Sequence, residues 1–516
     1  MSRGGQCQGV DAPRLNRSLW LEEARPGYPS LAGDLEVDVA VIGAGITGAT
    51  AAYLLVEAGR SVALLESSRV AHGATGYTTA KLTVGHNLVY RTLVDAYGEE
   101  VARGYARSNA EAIERVASLV AEHELACDFE RAANYVYTDA EASVPALERE
   151  AEAARAAGVD AELTTETDLP YPVAAALRVD GQAQFHPWKY VAGLVRLVAE
   201  RGGRVFELTR ATHVASGDRC VVETPAGRVR AGHVIVATQL PFLDRGLFFA
   251  RAHPVKSYAV AALVPADAAP RGMYITSDSP TRSIRSAPAG EGRRALVVGG
   301  EGHRPGAEPN TGERYARLER FLHERFGPAE VEYRWSTHDY EPLDDLPYIG
   351  RLRPGDARVL VATGFAKWGM TKGTLAAGIL ADSILGRPNE YADLYDSTRL
   401  HARRSALAFT RENGEVGLRF VLDRLRPRRG REELDRLGPG EGTIVRAGAA
   451  QYAAYRDDAG ELHVLSARCT HLGCIVGWNP ADRAWECPCH GSRFAADGTL
   501  VQGPATADLP RRALPN

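Results

Sequence analysis

Val37-Asp38-Val39-Ala40-Val41-Ile42 is an apolar, β-branched run that leads straight into Gly43-Ala44-Gly45-Ile46-Thr47-Gly48. The run reads as a buried strand. The G-x-G-x-x-G turn is followed by a helical stretch through Leu55 to Ala58, capped by Gly59. A second strand, Ser61 to Leu65, ends in Glu66. Each part has a physical task. Gly43 permits the tight turn, Gly45 lets the backbone approach a pyrophosphate at the helix N-terminus, and Gly48 allows close helix–strand packing. Glu66 lies 23 residues after Gly43, where an acid accepts hydrogen bonds from an adenosine ribose. Strand, turn, helix, second strand and acid together predict a dinucleotide site in an α/β Rossmann-type unit.

The fingerprint alone does not separate FAD from NAD, but later segments favour FAD. Arg69 to Lys81 follows the second strand and is rich in Gly and Thr, suited to wrapping a long cofactor. Gly232 to Thr238 is an apolar strand ending in Ala237-Thr238. Leu346 to Gly350 and Val359 to Gly364 form a second glycine-turn region. With Pro254 to Tyr258 and Val361 to Thr371, these motifs make Leu35 to Arg387 resemble the D-amino-acid-oxidase-like superfamily, which includes glycine and sarcosine oxidases. The resemblance implies an FAD domain built from separated stretches, about 35–90, 185–250 and 340–387. An α+β substrate domain, about 91–184 and 251–339, is inserted between them. It implies cofactor contacts from Gly43, Ala44, Gly45, Ile46, Thr47, Gly48, Glu66, Ser67, Thr75, Gly76, Thr79, Val214, Ala237, Thr238, Gly364, Trp368, Gly369, Met370 and Thr371. Gln239 departs from the pattern, standing where glycine usually continues the Ala-Thr strand. No cysteine lies between Cys220 and Cys469 to attach a flavin covalently in the C-terminal half of this unit.

Four of the seven cysteines crowd into the C-terminal region, in Cys469-Thr470-His471-Leu472-Gly473-Cys474 and Cys487-Pro488-Cys489-His490-Gly491-Ser492. Clustered Cys and His suggest a metal site, with zinc one reading. A C-x-H box and a C-x-x-H box on two loops closely resemble the Rieske [2Fe-2S] domain. The resemblance implies that Cys469 and Cys487 bind one iron and His471 and His490 the other, which raises the reduction potential above that of all-cysteine clusters. It also implies a Cys474–Cys489 disulfide tying the loops together. The imidazole edges of His471 and His490 are expected to be exposed, as an electron exit.

The chain has 516 residues, 45% hydrophobic and 24% charged, with a net charge of -4. These values exclude wholesale disorder and give no electrostatic argument for nucleic-acid binding. No apolar run approaches a membrane span and no secretory signal is evident, so a cytoplasmic location is expected. Residues 1–34 read as a turn-rich surface extension, 388–431 as an Arg-rich linker packed on the first unit, and 432–516 as a small all-β Rieske domain.

Only five of the 61 basic residues are lysine. Lys256, Lys367 and Lys372 are thus worth weighing as neighbours of the flavin ring, with Tyr258 and His303 as further lining. Arg285 is the candidate for a substrate carboxylate, because a guanidinium fork binds one bidentately. The catalytic candidates are Lys256, Tyr258, Arg285 and Lys367. The expected activity is oxidation of a small amine or amino acid by FAD, with electrons passed singly through the cluster to an acceptor. The alternatives are an oxygen-using oxidase with a structural cluster, and a reductase or redox adaptor fed through the cluster.

Overall fold

The computed structural model describes residues 17–22, 27–306, 308, 310–399, 410–414, 416–418, 420, 422, 432–448 and 450–513. Two eight-stranded sheets and two small C-terminal sheets carry the fold, and a helical layer covers the first.

The strand Leu35–Ile42 lies at the centre of an eight-stranded sheet. It pairs in parallel with Val62–Leu65 on one side and with Gly227–Val236 on the other. Arg204–Phe206 extends one edge in parallel. On the other side, Gly227–Val236 also pairs with Val359–Thr363. Burial on both faces explains the continuous apolar runs of the central strands. The helices Ile46–Glu57 and Gly369–Leu385 pack on this sheet and on each other. A Cβ on Gly373 would come within 2.7 Å of Thr47 Oγ1, so glycine sets how closely these helices approach.

The second eight-stranded sheet runs in the order Val331–Pro342, Ala252–Pro265, Arg293–His303, Arg282–Pro288, Met273–Thr276, Asn134–Thr138, Ala175–Val179, Ala161–Thr164. All its pairs are antiparallel except Met273–Thr276 with Asn134–Thr138. The helices Glu99–Glu122, Val144–Ala156 and Gly312–Phe326 belong to the same part of the chain. Pro187 opens the helix Pro187–Glu200, and His186 caps it by accepting from Lys189 N at 3.3 Å.

The C-terminal region is all-β. A three-stranded sheet (Gly442–Ala447, Ala450–Arg456, Leu462–Ser466) and a four-stranded one (Gly477–Asn479, Ala484–Glu486, Arg493–Ala495, Leu500–Gln502) enclose a small core around Trp485 and Phe494. The Arg-rich stretch 388–431 is described only in part; Tyr391 and Tyr395 within it are buried in the main core.

One expectation needs correcting. Within residues 1–34, Trp20 is not on the surface but fully buried, its Nε1–H donating to Thr78 O at 2.7 Å. Its neighbours Leu19 and Leu21 also pack against the core, so this short apolar triplet anchors the segment.

Candidate functional site

The glycine turn is built as its sequence requires. Gly43 has φ +102°, and a Cβ there would lie 2.5 Å from Ala237 O. A Cβ on Gly48 would lie 1.8 Å from Gly43 O. Glu66 ties the turn to the second strand. It accepts from Ala44 N at 2.9 Å and Ser68 N at 2.9 Å, and from the Ser67 hydroxyl at 3.2 Å. Burial holds its carboxyl above the usual carboxylate range, against these donors. Thr75 Oγ1 accepts from Ile46 N at 3.0 Å, which joins the wrapping segment to the helix start.

These residues open onto a cavity of about 1210 Å³. Gly43, Gly45, Ile46, Thr47, Glu66, Ser67, Thr75, Thr79, Ala237, Thr238, Trp368, Gly369 and Met370 line it. The bare glycine cradle, the glycine at the helix N-cap and the volume of the cavity fit a dinucleotide with an attached ring system. Ala44, Gly48, Gly76, Gly364 and Thr371 stand behind this lining and shape it. Gly76 packs beneath Ala71 O, and Gly364 (φ +77°) packs beneath Pro342. Thr371 Oγ1 accepts from Thr83 N at 3.2 Å. Val214 does not reach the cavity: it is buried in the core behind the sheet, and Thr209, Arg210 and Ala211 form that wall.

The catalytic candidates separate. Tyr258 and Lys367 line the cavity. Tyr258 meets His303 Nε2 at 2.9 Å, the rings stacked at 5.6 Å. Burial lowers His303 to about 4, so the ring is neutral at neutral pH. Lys367 has φ +71° and pairs with Glu341 at 3.1 Å.

Lys256 does not line the cavity. It sits behind Tyr258, its Nζ 5.5 Å from that ring's centroid, with the strand bulged between the two residues. There it is fully buried and ion-paired with Asp482 and Glu486 of the C-terminal region.

Arg285 is also not a cavity residue. Buried beneath Trp20, its Nη1 donates to the carbonyls of Thr79 (3.0 Å), Ala80 (2.8 Å) and Phe185 (3.2 Å). It therefore braces the wrapping segment from behind.

In the C-terminal region the two Cys/His loops face each other. The Cys474–Cys489 disulfide joins them, with Cα atoms 6.5 Å apart. Cys469 and Cys487 are buried free thiols. The rings of His471 and His490 lie 4.9 Å apart at 88°. Both Nδ1 atoms are buried and have no hydrogen-bond partner among the described residues. Two thiols and two orphaned imidazole nitrogens are the donor set a [2Fe-2S] cluster of this type needs, so Cys469, Cys487, His471 and His490 would hold it.

The imidazole edges are not exposed as expected. The His471 side chain is 4% exposed, and its Nε2 lies 2.7 Å from the Asp244 carboxylate. Phe249 meets both rings edge-on, at 6.0 and 5.3 Å. The reason is docking: the cluster loops press against the N-terminal unit. Tyr340 OH donates to His490 O at 2.9 Å, and His338 Nδ1–H to Gly491 O at 3.0 Å. Asp244, Phe249, His338, Tyr340 and Arg210 carried no motif that the sequence reading detected. Their role comes from a contact with chain more than a hundred residues away.

The comparisons agree with this assembly. The family profile for FAD dependent oxidoreductases matches residues 38–383, and that for the Rieske [2Fe-2S] domain matches 431–513. The chain belongs to the FAD dependent oxidoreductase family and carries a C-terminal Rieske domain. It is 34% identical over 486 residues to the Bacillus subtilis protein YhfW, named as a Rieske 2Fe-2S iron-sulfur protein; the match covers 94% of this chain and 95% of YhfW. Gamma-glutamylputrescine oxidoreductase of Escherichia coli is 24% identical over 372 residues, covering 70% of this chain and 86% of that protein. Among solved structures, glycine oxidase from Geobacillus kaustophilus superposes with a TM-score of 0.61 at 19% identity, covering 71% of this chain and 99% of that one. The cofactors are accordingly FAD and a [2Fe-2S] cluster. No helix among the described residues is long and apolar enough to cross a membrane.

Proposed function

We propose that the protein oxidises a small amine or amino acid and passes the electrons one at a time through its Rieske cluster to an acceptor. FAD, when bound, takes up a hydride equivalent and can give up its electrons singly; the cluster takes one. The observation that carries the reading is the strand Val331–Pro342, which serves both centres. On one face His338 and Tyr340 hold the cluster loop. On the other, the Asp339 carboxylate accepts from Lys367 N in the loop leading to Trp368. Tyr340 O also accepts from Ala366 N at 3.1 Å. One strand thus joins a ligand loop to the cavity wall through hydrogen bonds. Such wiring suits a dehydrogenase better than an oxidase with a structural cluster.

The chain's own residues divide the work as follows. The uncapped amides at the start of Gly369–Leu385 favour negative charge at that end of the cavity. Tyr258 and the neutral His303 offer polar lining that does not repel an uncharged amine. Lys367 contributes a cation at the cavity wall. The amine class is supported by the printed names of the relatives, gamma-glutamylputrescine oxidoreductase and glycine oxidase. The division into 35–387, 388–431 and 432–516, and a cytoplasmic location, belong to the same proposal.

The test is anaerobic. Purified protein is mixed with a panel of D-amino acids, N-methyl amino acids and simple amines, while flavin absorbance and the cluster's EPR signal are followed together. Bleaching of flavin and appearance of the reduced-cluster signal with one compound support the proposal. Bleaching with a cluster that stays oxidised overturns the electron route.

A further inference from the structure

We propose that the Rieske domain completes the FAD site: residues 501–506 form one wall of the dinucleotide cavity, so the cofactor is enclosed between two domains of one chain. Val501, Gln502, Gly503, Pro504, Ala505 and Thr506 line the same cavity as Gly43, Glu66 and Thr238. Two hydrogen bonds seam this wall to the N-terminal unit. Arg210 Nη2 donates to Leu500 O at 3.0 Å, and Gln502 Nε2 donates to Gln239 Oε1 at 2.5 Å. Thr209 N, next to Arg210, donates to Glu66 O at 2.8 Å, which puts the seam at the end of the cavity that Glu66 marks.

Gln239 explains its own departure from the family pattern. Its backbone keeps the left-handed conformation, φ +67°, that favours glycine. A glutamine tolerates that strain here because its side chain does what glycine cannot. Its Nε2 donates to His338 O, and its Oε1 accepts from Gln502. The wall is also stiff. Leu500 N donates to Asp508 Oδ1 at 2.8 Å, and Ala505 N donates to Ser492 Oγ at 3.1 Å. Ser492 belongs to the second cluster loop, so one short segment has the cofactor cavity on one side and the cluster loops on the other. The inference concerns how FAD is held and stands whichever substrate is used and whichever way electrons run.

Amide hydrogen exchange on the full chain tests it, with FAD bound, removed and restored, and with the cluster spectrum monitored throughout. Removing FAD should speed exchange over 501–506 at least about fivefold, the equivalent of one net hydrogen bond, and reloading should reverse it. Strands Gly442–Ala447 and Leu462–Ser466 of the same domain should not change. Equal exchange over 501–506 with and without FAD overturns the proposal. A second measurement uses Gln502→Ala in the full chain. FAD should dissociate about fivefold faster from a protein whose cluster spectrum is intact. An unchanged dissociation rate overturns the seam.

Discussion

Lys256, Lys367 and Lys372 look equivalent in the sequence, three rare cations in one superfamily-like segment, yet burial and partners give them different work. Lys256 closes an ion pair between domains. Lys367 stays at the cavity. Lys372 is buried against the face of Tyr105, 5.4 Å from the ring centroid, near His86. Burial lowers its ammonium from 10.5 to about 8, opposed by Asp339, Asp345 and Glu341. The folded chain therefore releases this proton near pH 8 while the unfolded chain keeps it to about 10.5. Between these limits the unfolded state binds more protons, so the lysine's destabilising effect is full below pH 8 and fades as pH rises. Urea unfolding of the parent and Lys372→Met should show this directly. The parent's stability should gain on the variant's from pH 8 to 10.5 and run parallel to it below. The opposite slope would contradict the assignment. At the other centre, Cys469→Ser should abolish the Rieske EPR signal while flavin absorbance remains; a normal cluster signal would remove Cys469 from the ligand set.

At the scale of elements, the fingerprint region was legible because its information is local. The period of Val37 to Ile42, the glycine spacing and the position of Glu66 all act within thirty residues. The same holds for the two Cys/His loops. The wall formed by Arg210 and Gln239, and the two-faced strand around Asp339, had no such local signal: each takes its meaning from the element packed against it. Arg285 was misleading for the same reason. Its guanidinium fork fitted a carboxylate, but nothing local showed that Trp20 and three backbone carbonyls surround it. The glycine turn supplies a sharp test. Gly48→Ala forces a methyl against Gly43 O, which should cost about 1–3 kcal/mol by overpacking and lower FAD occupancy. Denaturant midpoints and bound-flavin content measure both; wild-type values for the two would contradict the close approach.

At the scale of the whole molecule, the joint between the two units is a neutral buried cluster. Lys256 and Arg493 offset Asp482 and Glu486. Ser336 Oγ donates to Asp482 at 2.6 Å, and Asn479 Nδ2 donates to Glu486 at 3.0 Å. Such a network is not strong evidence for stability, but removing one member leaves charge buried and unpaired. Lys256→Met should therefore destabilise the protein by about 3–5 kcal/mol. It should also free the Rieske domain, seen as new proteolytic cleavage between residues 388 and 431. A variant as stable and as protease-resistant as the parent would contradict the docking role.

The central claim is that flavin and cluster exchange electrons within one chain. The direct measurement is to reduce the flavin by a light flash under anaerobic conditions and to follow the cluster's spectrum at several protein concentrations. The docked geometry predicts first-order reduction of the cluster at a rate independent of concentration. A rate that rises in proportion to protein concentration, or a cluster that stays oxidised while the flavin is reduced, would contradict it.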